Sequence, residues 1–177
     1  PNQSDADPFE GQKYDVESYK QDFLSFHPPY LTFFRKWRAV LVRAFGADVD
    51  MNVSLHPSAV IDYPWNLHMR NKSSIGEKCW IYAMATIEIG EFSCIGKDVY
   101  LLTGTHDISK PSFDLVTRPI KIGKGCWIAT DSTILPGIEI QDFCVVAAGS
   151  VVCHSTASYD VVGGNPAKFI KKRIICD

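Results

Sequence analysis

The feature that most constrains this chain is a branched aliphatic residue at every sixth position of its C-terminal half: Ile122, Ile128, Ile134, Ile140, Val146 and Val152. Ile, Leu and Val fill 39 of the 177 positions, so six preset positions would all carry one by chance about once in ten thousand trials. The step is present upstream in Val49, Leu55, Ile61 and Leu67. After a two-residue slip it continues in Ile75, Ile81 and Ile87, and after a second in Ile89, Ile95 and Leu101. A period of six fits neither a helix face, at about 3.6, nor a heptad. It fits a solenoid in which three hexads make one triangular coil, each side is a short strand, and the aliphatic points into a shared interior. The position four after each aliphatic should then be a small inward residue at a corner. It holds Ala59, Cys79, Ala85, Ser93, Val99, Cys126, Ser132, Cys144 and Ser150, with Trp65, Asn71 and Ile138 as exceptions. Three of the cysteines are thereby explained as small reduced core residues. Gly76, Gly90, Gly96 and Gly123 at second positions suit turns that need φ > 0. Periodicity predicts an all-β solenoid of about five coils and leaves its hand open.

Composition removes several function classes. Apolar residues make up 46%, charged residues 21%, and the net charge is −2, which argues against a disordered chain or a strongly basic nucleic-acid binder. No apolar run approaches the roughly 18 residues that cross a bilayer, and the polar, acidic start is unlike a secretion signal. A cytoplasmic protein, with or without contact to the inner membrane face, is the expectation. The six cysteines form no C-x-x-C pair, so a disulfide framework is not indicated.

Three segments break the repeat and divide the chain into residues 1–46, 47–154 and 155–177. Residues 1 to 30 are polar and are expected to drape over the body or fray. Tyr30 to Phe45 place Tyr30, Phe33, Phe34, Trp37, Leu41, Ala44 and Phe45 near one helical face, with Arg35, Lys36, Arg38 and Arg43 mostly elsewhere, and Gly46 ends the helix. This amphipathic helix caps the open end of the solenoid or, through residues 30–46, makes peripheral contact with an anionic membrane. The second break is a long loop, residues 103–119, between well-formed coils. Loops of that length are uncommon unless they have a function. The tail is read as a short helix with Asn165 as N-cap and Pro166 at the first helical position. Its basic residues either complement the helix end or contact phosphate.

Of five histidines, His106 stands out because it opens the long loop beside Gly104 and two threonines, at the rim of a rigid scaffold. A zinc site is not indicated: Pro111 follows His106 by five residues and Leu101 precedes it by five, so the paired ligand is missing. Gly163-Gly164 has neither dinucleotide-binding nor Walker spacing.

From about Tyr30 to Arg173 the chain resembles the hexapeptide-repeat O-acetyltransferases, which fold as left-handed β-helices, and most of all their colanic acid biosynthesis group. Maltose, galactoside and nodulation-factor acetyltransferases are relatives of that group. The resemblance rests on Tyr63-Pro64-Trp65-Asn66-Leu67, Thr103-Gly104-Thr105-His106-Asp107, the run from Ile122 to Asp131, Leu135-Pro136-Gly137, Ala148-Gly149-Ser150 and Gly164-Asn165-Pro166-Ala167-Lys168. It implies acetyl transfer from acetyl-CoA to a sugar hydroxyl of an exopolysaccharide or surface-glycan precursor, without metal, in a homotrimer with active sites between neighbouring coils. His106 matches the family's general base, and the backbone N–H of Thr130 matches its oxyanion donor. Trp127, Ala129, Ala147, Ala148, Lys168 and Lys171 match donor-site positions. Tyr82 and Asp107 lie where acceptor contacts are expected, with orientation of the His106 ring as the other role open to Asp107, although Tyr82 replaces an asparagine of the galactoside-type enzymes and His154 replaces a lysine common near the CoA site. The alternatives are transfer to serine, another small metabolite or an amine, and a non-catalytic scaffold.

Overall fold

The computed structural model describes residues 30–175. The chain divides into two compact units, Pro1–Phe34 and Arg35–Asp177, and the fold below is that of the second. The expectation for residues 1 to 30 lies outside the described residues, apart from Tyr30.

Three parallel sheets form the sides of a triangular prism. The first face stacks Asp48–Val49, Leu67–Met69, Ile87–Ile89, Ile120–Ile122 and Glu139–Ile140. The second stacks Ser54–Leu55, Ser74–Ile75, Cys94–Ile95, Trp127–Ile128, Val145–Val146 and Asp160–Gly164, with Ala167–Lys172 added at its edge. The third stacks Val60–Asp62, Trp80–Tyr82, Tyr100–Leu102, Thr133–Ile134 and Val151–Val152. Each coil passes through the faces in that order, giving five complete coils and a sixth begun at Asp160–Gly164. The count is slightly above that expected from the repeat.

The hexad aliphatics fill the interior: Val49, Leu55, Leu67, Ile75, Ile81, Ile95, Leu101, Ile128, Ile134 and Val152 are all buried, and Ile61 is partly so. The two slips have a structural cause. Leu67–Met69, Ile87–Ile89 and Ile120–Ile122 each turn two residues inward, stacked as Leu67↔Ile87↔Ile120 and Met69↔Ile89↔Ile122. A first-face strand with two inward residues lengthens its coil by two.

Corners are closed by the small residues the repeat requires. The Ser93 hydroxyl donates to Gly123 O at 2.6 Å, Ser132 to Ala147 O at 3.0 Å, and the Cys79 thiol to Gly96 O at 2.8 Å. Burial pushes the Cys126 thiol up to about 11, which suits a packing role and no chemistry near neutral pH. One expectation is corrected. Gly76, Gly90, Gly96 and Gly123 do not hold the positive-φ positions; Lys78, Phe92, Asp98 and Gly125, two residues further on, do, at φ 54 to 63°. The four second-position glycines are needed because adjacent coils approach so closely. A Cβ at Gly76 would lie 2.7 Å from Gly96 O, and one at Gly96 would lie 2.9 Å from Ile128 O.

Helix α1, Tyr30–Ala44, ends in a Schellman turn: Ala47 N donates to Val42 O at 3.0 Å, Gly46 N to Arg43 O at 2.9 Å, and Gly46 has φ 93°. Its Ala39 and Val42 join the core beside Ala47 and Val49. Arg38 donates to the carbonyls of Pro57 and Ala59, and Arg43 to Val49 O at 2.8 Å. The second half of the helix thus covers the first coil, leaving Trp37, Val40, Leu41 and Phe45 exposed on its outer side.

The long loop expected at residues 103–119 is present and is ordered as an antiparallel arm, with Gly104–His106 paired to Leu115–Thr117. The tail is a hairpin, not a helix: Asp160–Gly164 continues the second face on Val145–Val146, and Ala167–Lys172 returns antiparallel through Asn165-Pro166. Val161 and Val162 pair with an open sheet edge, and the Asn-Pro pair that suits a helix start serves equally as a hairpin connection.

Candidate active site

His106 ends the first strand of the arm, which leaves the scaffold at the corner joining the third face to the first. Pairing of His106 with Leu115 brings Phe113 against the imidazole. The two rings stack at 4.3 Å with planes 8° apart, and His106 Nδ1 lies 2.8 Å from Phe113 O. A carbonyl oxygen can only accept, so in the neutral ring Nδ1 carries the proton and Nε2 keeps its lone pair. Nε2 is therefore the atom able to take a proton.

Asp107 does not orient this ring. Its Oδ1 accepts from the Ser109 hydroxyl at 2.5 Å and from Ser109 N at 3.0 Å, while Oδ2 lies 3.5 Å from Lys110 Nζ. The Ser109 bonds hold its carboxyl below the usual range, and the residue shapes the tip of the arm. Tyr82 and Met84 lie under the start of the arm: a Cβ on Gly104 would be 3.0 Å from Tyr82 Cε1 and 3.0 Å from Met84 Sδ. Tyr82, His106 and Asp107 are thus gathered at one corner.

The other expected residues gather at a different corner, where the second face turns into the third. Register carries Ile95 to Ile128, Val146 and Val162, so Gly96, Ala129, Ala147 and Gly163 stack one above another. The backbone ladder there is regular, with Gly96 N donating to Ile128 O at 2.8 Å, Ala129 N to Val146 O at 2.9 Å and Ala147 N to Val162 O at 2.8 Å. Thr130 and Ala148, each one residue further on, are exposed. Thr130 O accepts from Gly149 N at 2.9 Å, but the Thr130 N–H donates to no group among the described residues. A Cβ at Gly96 would stand 3.0 Å from that nitrogen; glycine keeps the amide uncovered. Trp127 stands outward on the second face between Cys94 and Val145. Lys168 pairs with Gly163 and Lys171 with Val161, so both residues lie on the returning strand of the hairpin beyond Ala147.

The expected site residues of one chain therefore fall on two corners of the prism, separated by the third face. That face presents Val60, Trp80, Tyr100, Thr133 and Val151 in one outward column, with Trp80 39% and Tyr100 37% exposed. The first face presents Asp48, His68, Glu88, Lys121 and Glu139. His154 is exposed, with its Nδ1 3.2 Å from Cys153 Sγ. Among the described residues no group of three His, Cys, Asp or Glu is placed to hold a metal.

Sequence reasoning missed Phe113 and the function of Gly96. Neither has a side-chain signature, since one acts through its carbonyl and the other through the lack of a Cβ.

Comparison with known proteins agrees with this architecture. The family described as "Bacterial transferase hexapeptide (six repeats)" matches residues 119–154. The chain is 41% identical over 139 residues to WcaF of Escherichia coli (strain K12), named for colanic acid biosynthesis acetyltransferase, covering 78% of this chain and 76% of that protein. A solved galactoside acetyltransferase in complex with coenzyme A superposes with TM-score 0.71 at 25% identity, covering 82% of this chain and 72% of that one. A maltose O-acetyltransferase from Clostridium difficile 630 gives TM-score 0.66 at 26% identity, covering 82% and 89%. With its stacked hexads, its arm and its relatives in agreement, the chain belongs to the hexapeptide-repeat transferase family, as an acyltransferase.

Proposed function

We propose that the protein transfers acetyl from acetyl-CoA to a sugar hydroxyl of an exopolysaccharide or surface-glycan precursor, at sites shared between the chains of a homotrimer. The observation that carries this reading is the His106 ring, held by Phe113 O with its Nε2 lone pair available on an exposed arm. The second-to-third corner suits the donor. Ala129, Ala147 and Ala148 leave room for a narrow pantetheine arm, Lys168 and Lys171 suit its phosphates, and Trp127 offers a wall.

Chemistry follows from the two half-sites. His106 Nε2 takes the proton of the acceptor hydroxyl as its oxygen attacks the thioester carbonyl, and the Thr130 N–H donates to the negative charge developing on the carbonyl oxygen. The C–S bond breaks, the sulfur leaves as thiolate, and the proton held on Nε2 returns to it. No covalent acyl-enzyme is needed.

A trimer supplies what one chain lacks. If three prisms turn their third faces toward a common axis, the arm corner of each meets the small-residue corner of the next. The apolar column of Val60, Trp80 and Tyr100 is then covered, and the charged first face stays in water.

Incubation with acetyl-CoA and a panel of glycans, following free CoA and acetyl ester, tests the reading. Acceptor-dependent release of CoA is expected; ester on serine or amide on an amine in its place would overturn the sugar assignment. The exposed Trp37, Val40 and Leu41 of α1 and Phe45 just after it further support peripheral membrane contact at the inner face. Deleting residues 30–46 is expected to abolish sedimentation with anionic vesicles, and equal sedimentation would remove this contact from the account. No helix among the described residues is long and apolar enough to cross a membrane.

A further inference from the structure

The corner that carries the arm has a second unusual feature, two coils nearer the helix. At the first crossing from the third face to the first, the turn is Tyr63-Pro64-Trp65-Asn66, four residues long like the next crossing at 83–86 but carrying two aromatic rings. Tyr63 takes φ 56°, and Pro64–Asn66 form a 3-10 turn. The Asn66 amide clamps this turn to the next coil by donating to Ala83 O at 2.9 Å and Met84 O at 3.3 Å. Gly46 supports it from behind, since a Cβ there would lie 3.0 Å from Trp65 Cβ. The clamped turn displays Trp65, 57% exposed, and Tyr63.

These rings run toward the foot of the arm. Trp65 and Tyr63 have centroids 5.7 Å apart at 82°, and Tyr63 and Tyr82 lie 6.1 Å apart at 63°. Tyr82 in turn touches the start of the arm at Gly104, two residues before His106. Each step is comparable with the length of one hexopyranose residue. In an edge-to-face pair one ring keeps both faces clear of its partner, and the negative quadrupole of such a face suits the polarised C–H bonds on the apolar side of a pyranose. The Tyr63 and Tyr82 hydroxyls and the Asp62 carboxylate, which accepts from Trp80 Nε1 at 2.7 Å, add hydrogen-bonding groups. A rigid row of aromatic faces set among polar groups is the composition of a carbohydrate site rather than of a dry protein contact.

We infer that Trp65 and Tyr63 form a stacking subsite for a second sugar ring, next to the one whose hydroxyl meets His106, so that the acceptor is an oligosaccharide or a longer glycan. This rests on the acetyl-transfer reading above and assigns the size of its substrate. Asn66 is a positioning residue, acting through the turn it clamps.

The test compares acceptors of two lengths: methyl glycosides of glucose, galactose and fucose against maltose, cellobiose and lactose. Wild type is expected to favour the best disaccharide over the best monosaccharide by about tenfold or more in kcat/KM. Trp65→Ala and Trp65→Leu should both erase that preference by raising the disaccharide KM about tenfold, leaving KM for acetyl-CoA and kcat/KM for the monosaccharide unchanged. Trp65→Phe should retain most of it. Two results overturn the subsite and leave sugar acetylation standing: an unchanged length preference in Trp65→Leu, or dissociation of Trp65→Ala into monomers, which would make the patch an interface between copies. Absence of transfer to any of the six sugars overturns the sugar reading and the subsite with it.

Discussion

His106→Ala should lower kcat by about 10² to 10⁴, the usual contribution of a positioned general base, while KM for acetyl-CoA stays within twofold. The separation follows from the fold. The imidazole sits on the arm corner, and the groups assigned to the donor sit on another corner of the same chain. The ring is exposed and stacks on Phe113, so its loss leaves the core intact and stability should change by no more than about 0.5 kcal/mol. His106→Gln sharpens the experiment: its amide can still donate to Phe113 O but offers no basic nitrogen, so it should be as slow as alanine. Acceptor-dependent steady-state rates decide the matter, and a variant as fast as wild type would remove His106 as the base.

The second large effect is expected at the opposite corner. Ala148 is exposed one residue past the Ala129–Ala147 stack, so Ala148→Trp adds an indole to the proposed pantetheine path without entering the core. Calorimetric affinity for CoA should fall on the order of a hundredfold, equivalent to about 2.7 kcal/mol, with the thermal midpoint nearly unchanged. The arm is untouched, so His106 keeps its bond to Phe113. Unchanged CoA affinity would mean the donor lies elsewhere and that the stacked small residues serve only close coil packing.

Much of this was legible from residues alone, for reasons that differ between elements. The hexads announce the prism because every inward position must be aliphatic when coils bury one another. Trp65 breaks the rule of a small residue four positions after an aliphatic because that corner is built as the 3-10 turn Pro64–Asn66, which sets it outward: it is exposed where Cys79 and Ser93 are buried. His106 is singled out by a long insertion between good coils. Its orientation is another matter. The bond to Phe113 O depends on the pairing of His106 with Leu115, and no side chain encodes which carbonyl will arrive there. Asp107 is the reverse case, a carboxylate beside His106 in sequence that spends its oxygens on Ser109 and Lys110. The tail misled because Asn-Pro starts helices and also joins hairpin strands; the open edge of the second face decided between them.

The arrangement of half-sites is the central claim, and mixing the two inactive variants tests it most directly. His106→Ala and Ala148→Trp chains, given different affinity tags, co-expressed and purified through both tags, yield rings of two chains of one kind and one of the other. In every such ring one site joins an intact arm to an intact small-residue corner, so the account predicts about a third of wild-type activity from two proteins that are each nearly inert. Mixed trimers no more active than their parents would contradict it, and would require His106 and the donor to meet within a single chain.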